Sequence, residues 1–152
     1  MQFLLYSHCE AQSVIPQAFQ EQIVKSIAST SIKKPINTQK IRNSIIEPLF
    51  EYGWSNGIRV APTNSKIDIT SVNSNIGLCI QTGNISRFYA DILKLQTLFA
   101  ECKIIASIYI VPMKPLAKTF GQNIVNFERF VREIRIFKKT ITVPILVYGI
   151  YE

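Results

Sequence analysis

Two short segments carry the polar positions most suited to chemistry. In Lys66-Ile67-Asp68-Ile69-Thr70 the apolar and polar residues alternate, so Ile67 and Ile69 face one way and Asp68 the other. Leu78-Cys79-Ile80-Gln81-Thr82 alternates again, with Cys79 and Gln81 opposite Leu78 and Ile80. Asn73-Ser74-Asn75 between them is turn chemistry. Paired in the obvious register, the two strands put Asp68, Cys79 and Gln81 on one face. An acid facing such a paired position is how a sheet can hold a hydrolytic metal. Cys79 also has a plainer reading as a neutral packed thiol, since no base stands near it in sequence. His8 is the only histidine, which argues against a histidine-dependent triad or a zinc site.

The surrounding elements must position these residues. Residues 2–7 read as a strand, and Phe19, Ile23, Val24 and Ile27 after Pro16 mark an amphipathic helix over 16–28. Asn37 or Thr38 caps a second helix with Ile41, Ile45, Leu49 and Tyr52 on its apolar side, which Pro48 should kink or break. Glu47 and Glu51 stand at i,i+4 on it, facing either solvent or a site on the sheet. Gly83 and Asn84 end the second polar strand and open a long helix through Phe88, Ile92, Leu95 and Phe99. Ile104 to Val111 is a nearly continuous apolar run, as in a buried strand. Strand, helix and strand here form a βαβ unit with parallel strands and a right-handed crossover. A further helix over 123–137 turns Phe127, Val131 and Ile134 inward, and Val143 to Ile150 is the last strand. The fold class is α/β, in one domain spanning 1–152.

Composition narrows the partners. A chain of 152 residues with 47% hydrophobic and 18% charged side chains can bury a real core. No apolar run reaches the roughly 18 residues that cross a bilayer, and the start lacks a basic signal-peptide region, so no export and no membrane are expected. Cys9, Cys79 and Cys102 are odd in number and lack CxxC spacing, which fits a reducing cytoplasm. The net charge of +7 favours an anionic partner, with nucleic acid first and a membrane surface second. Arg129, Arg132 and Arg135, with Lys138 and Lys139 beyond, form a basic helix face spaced for phosphates; a merely solvated face is the alternative. Arg87 lies in the first turn after the second polar strand, near where a phosphate would sit, or else in a surface salt bridge. Lys114 and Lys118 flank the loop after the central strand.

Several segments in order also resemble the BglII-type restriction endonucleases of the PD-(D/E)XK superfamily. They are Tyr6-Ser7-His8-Cys9-Glu10-Ala11, Ile67-Asp68-Ile69, Leu78-Cys79-Ile80-Gln81 with Gly83-Asn84, the strand ending at Val111, and Val143 to Gly149. The resemblance implies a restriction-endonuclease-like core, a mixed central β-sheet flanked by helices. It implies a Mg²⁺-dependent (or Mn²⁺-dependent) endonuclease that acts on double-stranded DNA as a homodimer. Asp68 then matches the metal-binding acid, the Ile80 carbonyl a second metal ligand, and Gln81 the place usually held by Lys. Cys79 stands where the catalytic Glu belongs, and a thiol is a poor ligand for a hard cation. Glu47 or Glu51 could compensate. Two functions are therefore expected as alternatives: a type II-like endonuclease with a weakened site, or an inactive pseudo-nuclease that binds DNA or pairs with an active subunit. If Cys79 is the only serious defect, Cys79→Glu should restore cleavage. With only a short stretch after the last strand, little elaborate base-reading insertion is expected.

Overall fold

A computed structural model describes residues 1–32, 35–60 and 67–152. The described residues form seven strands and six α-helices. They are β1 (Gln2–His8), α1 (Ala11–Val14), α2 (Gln17–Ser29), α3 (Thr38–Ile46), β2 (Ile58–Arg59), β3 (Asp68–Ile69), β4 (Ser71–Asn73), β5 (Ile76–Ile80), α4 (Ser86–Ala100), β6 (Ala106–Pro112), α5 (Lys114–Phe120), α6 (Phe127–Ile136) and β7 (Ile145–Tyr151). Five strands form a mixed sheet in the order β1-β7-β6-β5-β4; β5, β6 and β7 run parallel, and both edge strands run antiparallel to their neighbours. The small β2–β3 ribbon stands apart from it. The expected mixed sheet with helices is thus observed, and β5-α4-β6 is the expected unit with parallel strands.

Alternation along the central strands divides the core into two layers. Leu78, Ile80, Ile108, Ile110, Leu146 and Tyr148 point to one face, where Ile23 and Ile27 of α2 and Ile41 and Ile45 of α3 cover them. Cys79, Tyr109, Val111 and Val147 point to the other, beneath Phe88, Ile92 and Leu95 of α4 and Phe130 and Ile134 of α6. Gly149 belongs to this second face. A Cβ there would lie 2.5 Å from the Phe127 ring and 2.8 Å from Met113 Sδ, so the first turn of α6 rests directly on bare backbone.

Local signals explain several boundaries. The Asn37 side chain accepts from the Lys40 amide and caps α3. That helix ends at Ile46, and Glu47–Tyr52 continues as a 3₁₀ helix with Pro48 in its first turn, so the proline breaks the helix. Gly53 closes the 3₁₀ helix at φ 86°, a left-handed conformation suited to glycine. The long helix over 123–137 is shorter than expected, beginning at Phe127 with Asn126 as its cap. Residues 114–120 are helical rather than loop, because Pro115 occupies a first-turn position where its missing N–H costs nothing. Of the 66–70 segment, Lys66 lies outside the described residues and only Asp68 and Ile69 are in a strand. No described helix is long and apolar enough to cross a membrane.

Candidate active site

The antiparallel ladder between β4 and β5 runs from Asn73–Ile76 to Ser71–Leu78 and stops there. Two residues further along β5, the Ile80 amide donates to the Thr70 hydroxyl oxygen at 3.0 Å instead of to a backbone carbonyl. A side chain has replaced a ladder bond, and the chain before it peels away to pair with β2, Asp68 opposite Arg59. The opening this leaves at the end of β5 is a cavity of about 250 Å³. Asp68, Cys79, Ile80 and Gln81 all line it, together with Arg87. The ladder between Asp68 and Gln81 is therefore absent, but the two residues meet across a cavity.

The cavity is more crowded than its sequence suggests. Cys79 is 2% exposed, and burial, reinforced by the nearby Asp91 carboxylate, pushes its thiol far above the ordinary range. It is a neutral core residue. Gln81 Nε2 donates to Asp91 Oδ2 at 2.7 Å, and its Oε1 accepts from the Gly83 amide at 3.0 Å. Asp91 also accepts from Tyr109 OH at 3.1 Å and pairs with Lys94 at 3.0 Å. Burial first and Asp91 second hold the Tyr109 phenol protonated, well above its usual range. Gln81 is thus locked at both ends of its amide.

Helix α3 sends a cation into the cavity, not an acid. Arg42 Nη1 donates to the Ile80 carbonyl at 2.6 Å and Nη2 to the Thr70 hydroxyl oxygen at 3.0 Å. A hydrogen bond from a charged donor is worth roughly 1.5–3 kcal/mol, which any other partner of that carbonyl must overcome. Glu47 and Glu51 are both exposed and neither lines the cavity. In a 3₁₀ helix residues three apart eclipse, so the i,i+4 alignment that would have aimed both at the sheet is lost. Three cationic side chains, Arg42, Arg87 and Lys94, face two carboxylates, Asp68 and Asp91.

These residues do not fit a divalent metal. Mg²⁺ requires oxygen ligands, usually including one or two carboxylates. Here the Ile80 carbonyl is held by Arg42, Asp91 by Lys94, and position 79 offers a protonated sulfur. Among the described residues no group of three or more His, Cys, Asp or Glu side chains is placed to hold a metal ion.

A second concavity, of about 600 Å³, lies between α5 and the start of α6. Lys114 and Lys118, on successive turns of α5, and Arg129 of α6 all line it. Its floor, residues 121–126, is tied to the segment leaving the first cavity: Ile85 N donates to Asn123 O at 2.9 Å and Val125 N to Gly83 O at 3.0 Å. The arginines of α6 do not act as one face. Arg129 pairs with Glu133 at 2.6 Å, Arg132 touches the same carboxylate at 3.4 Å, and Arg135 lies 5.1 Å over the Tyr6 ring. His8 is buried and its Nε2 donates to the Ile141 carbonyl at 2.8 Å, a structural bond.

Arg42, Asp91, Thr70 and Tyr109 escaped the sequence reading. Asp91 left a trace: it falls on the stripe Phe88, Asp91, Ile92, Leu95, a carboxylate among core positions. Arg42 likewise precedes Ile45 and Leu49 at helical spacing.

Residues 3–150 match the family described as restriction endonuclease BglII/BglIII. Among solved structures, the crystal structure of restriction endonuclease BglII complexed with a DNA 16-mer superposes with a TM-score of 0.86 at 11% identity, over 100% of this chain and 77% of that one. Free BglII superposes with a TM-score of 0.78 at 14% identity, over 100% of this chain and 80% of that one. No curated protein matches. With the family match covering residues 3–150 and the superposition covering the whole chain, this chain belongs to the BglII/BglIII restriction endonuclease family.

Proposed function

We propose that this protein binds duplex DNA as a member of a type II restriction enzyme family, with metal-dependent cleavage suppressed in the protein as it stands. The groove of Lys114, Lys118 and Arg129 carries the binding half of this reading. Three cations on two rigid helices suit backbone phosphates, which position a protein on a duplex without reading its sequence. The likeness to BglII in complex with a DNA 16-mer supports the same partner. Arg42 on the Ile80 carbonyl and the neutral Cys79 support the loss of cleavage. The protein then acts as a DNA-binding pseudo-nuclease, as a homodimer or beside an active subunit, in the cytoplasm.

Mixed duplex DNA incubated with the protein, with and without Mg²⁺ or Mn²⁺, tests both halves. The expected result is a mobility shift that weakens steeply with salt, about −0.9 in the log–log slope per phosphate contact, and no cut product. The endonuclease reading keeps one observation in its favour, since Asp68, Cys79 and Gln81 meet in one cavity. Metal-dependent cutting that disappears in Asp68→Ala would establish it. Sedimentation of the protein with and without a short duplex tests the dimer.

A further inference from the structure

We infer that Arg42 is the built-in cation of the Asp68 cavity: its guanidinium takes the Ile80 carbonyl that a divalent metal would need and keeps the metal out. The inference deepens the proposed loss of cleavage and rests on that reading of the cavity. The geometry is two-pronged. One nitrogen donates to Ile80 O at 2.6 Å and the other to Thr70 Oγ1 at 3.0 Å, so the planar fork is fixed at both tips. The same Thr70 oxygen receives the Ile80 amide, which ties the guanidinium to the very peptide that follows Cys79. Arg42 is therefore seated by two oxygens, the Ile80 carbonyl at the end of β5 and the Thr70 hydroxyl between β3 and β4, in a cavity that also contains Asp68.

Charge and room act together. A metal entering beside Asp68 meets Arg42, Arg87 and Lys94, all on the wall of a 250 Å³ space. Of these, Arg42 alone among the described contacts covers the β5 carbonyl. Removing it frees an oxygen donor and deletes a repulsive charge in one step. Replacing Cys79 by Glu does neither: the new carboxylate would arrive beside a guanidinium already present to pair with it. Arginine and metal thus compete for one carbonyl and repel each other across one small cavity.

Binding of Mn²⁺ without DNA, followed by the loss of the free-ion electron paramagnetic resonance signal, tests this directly. The proteins compared are the unsubstituted chain, Arg42→Gln, Arg42→Met (which keeps the aliphatic stem), Cys79→Glu, and Arg42→Gln with Cys79→Glu. Thermal melts first establish which are folded. The expected gain is about ten- to a hundredfold in affinity for either Arg42 variant over the unsubstituted chain, comparable with other changes around a metal site. Adding Asp68→Asn should remove that gain. The double variant should bind tighter still, and Cys79→Glu alone should bind no better than the unsubstituted chain. Equal affinity with and without Arg42 overturns the inference, as does Asp68-dependent Mn²⁺ binding by Cys79→Glu alone matching the double variant. Mobility shifts of the unsubstituted protein, read separately, keep a failure of DNA binding distinct from a failure of this inference.

Discussion

The cavity at the end of β5 and the groove between α5 and α6 are both rich in charge, yet they are built on opposite terms. In the cavity each of Arg42, Lys94, Asp91 and Gln81 has a partner within 3.0 Å, and the sulfur of Cys79 is buried behind them. In the groove, Lys114 and Lys118 are exposed on a short helix and Arg129 spends its Nε on Glu133 while remaining partly open. Internal pairing ties most of the first region's donors and acceptors to one another, leaving Asp68 and Arg87 exposed on its wall. Exposure leaves the second able to exchange water and counterions for phosphates. On the proposed reading, the family fold keeps a surface for a polyanion while the cavity at the end of β5 serves as a structural network.

The sharpest way to break this contrast is to place at position 79 the acid that the family resemblance leads one to expect. Cys79→Glu should lower folding stability by several kcal/mol, about 3–5 if the buried carboxylate finds no complete set of partners, as read from urea denaturation. A variant as stable as the parent would mean that the cavity is loose and hydrated, unlike the network described above. The second effect belongs to the groove. Lys114→Ala, Lys118→Ala and Arg129→Ala together should flatten the salt slope of DNA binding by roughly 2–3, one contact each, without moving the melting temperature much. Arg132→Ala with Arg135→Ala should flatten it less, because Arg135 stacks on Tyr6 and Arg132 points at Glu133. If the second pair matters more, the phosphate track lies along α6 and not in the groove.

The smallest effect uses His8 as a control outside both regions. Burial lowers its pKa below 6.5, with the Ile141 hydrogen bond opposing and Lys138 adding to the shift. The unfolded chain therefore takes up this proton first as pH falls. The contribution is fully present above about pH 6.5 and is lost progressively below it as the folded pKa is approached. Urea midpoints at pH 7.5 and 5.5 should show the loss, and His8→Gln should reduce it while leaving the DNA salt slope unchanged.

Much of the fold was legible because alternation and helical spacing are local. Strands β5, β6 and β7, helices α2 and α4 and the break at Pro48 all follow from patterns within a dozen residues. Helix α5 was not legible: Lys114 and Lys118 read as flanking a loop, although Pro115 between them suits a first helical turn. The cavity was half legible. Asp68, Cys79 and Gln81 could be brought together by register, but the register fails at Thr70, where a hydroxyl substitutes for a backbone carbonyl. Arg42 and Asp91 reach the cavity from helices on opposite faces of the sheet, and no periodicity reports a contact made across 38 or 10 residues of sequence.

Gly149 and Phe127 share one volume. The ring occupies the volume that any side chain at 149 would need, so a methyl added to β7 has to be matched by lost bulk at 127. Arg129 is two residues beyond that ring on the same helix. Across relatives, drift at one end of the pair should therefore be accompanied by drift at the other, and a lone change at 149 should tilt α6 and carry Arg129 with it. A strand position with no side chain at all thereby sets how far the groove can wander in evolution.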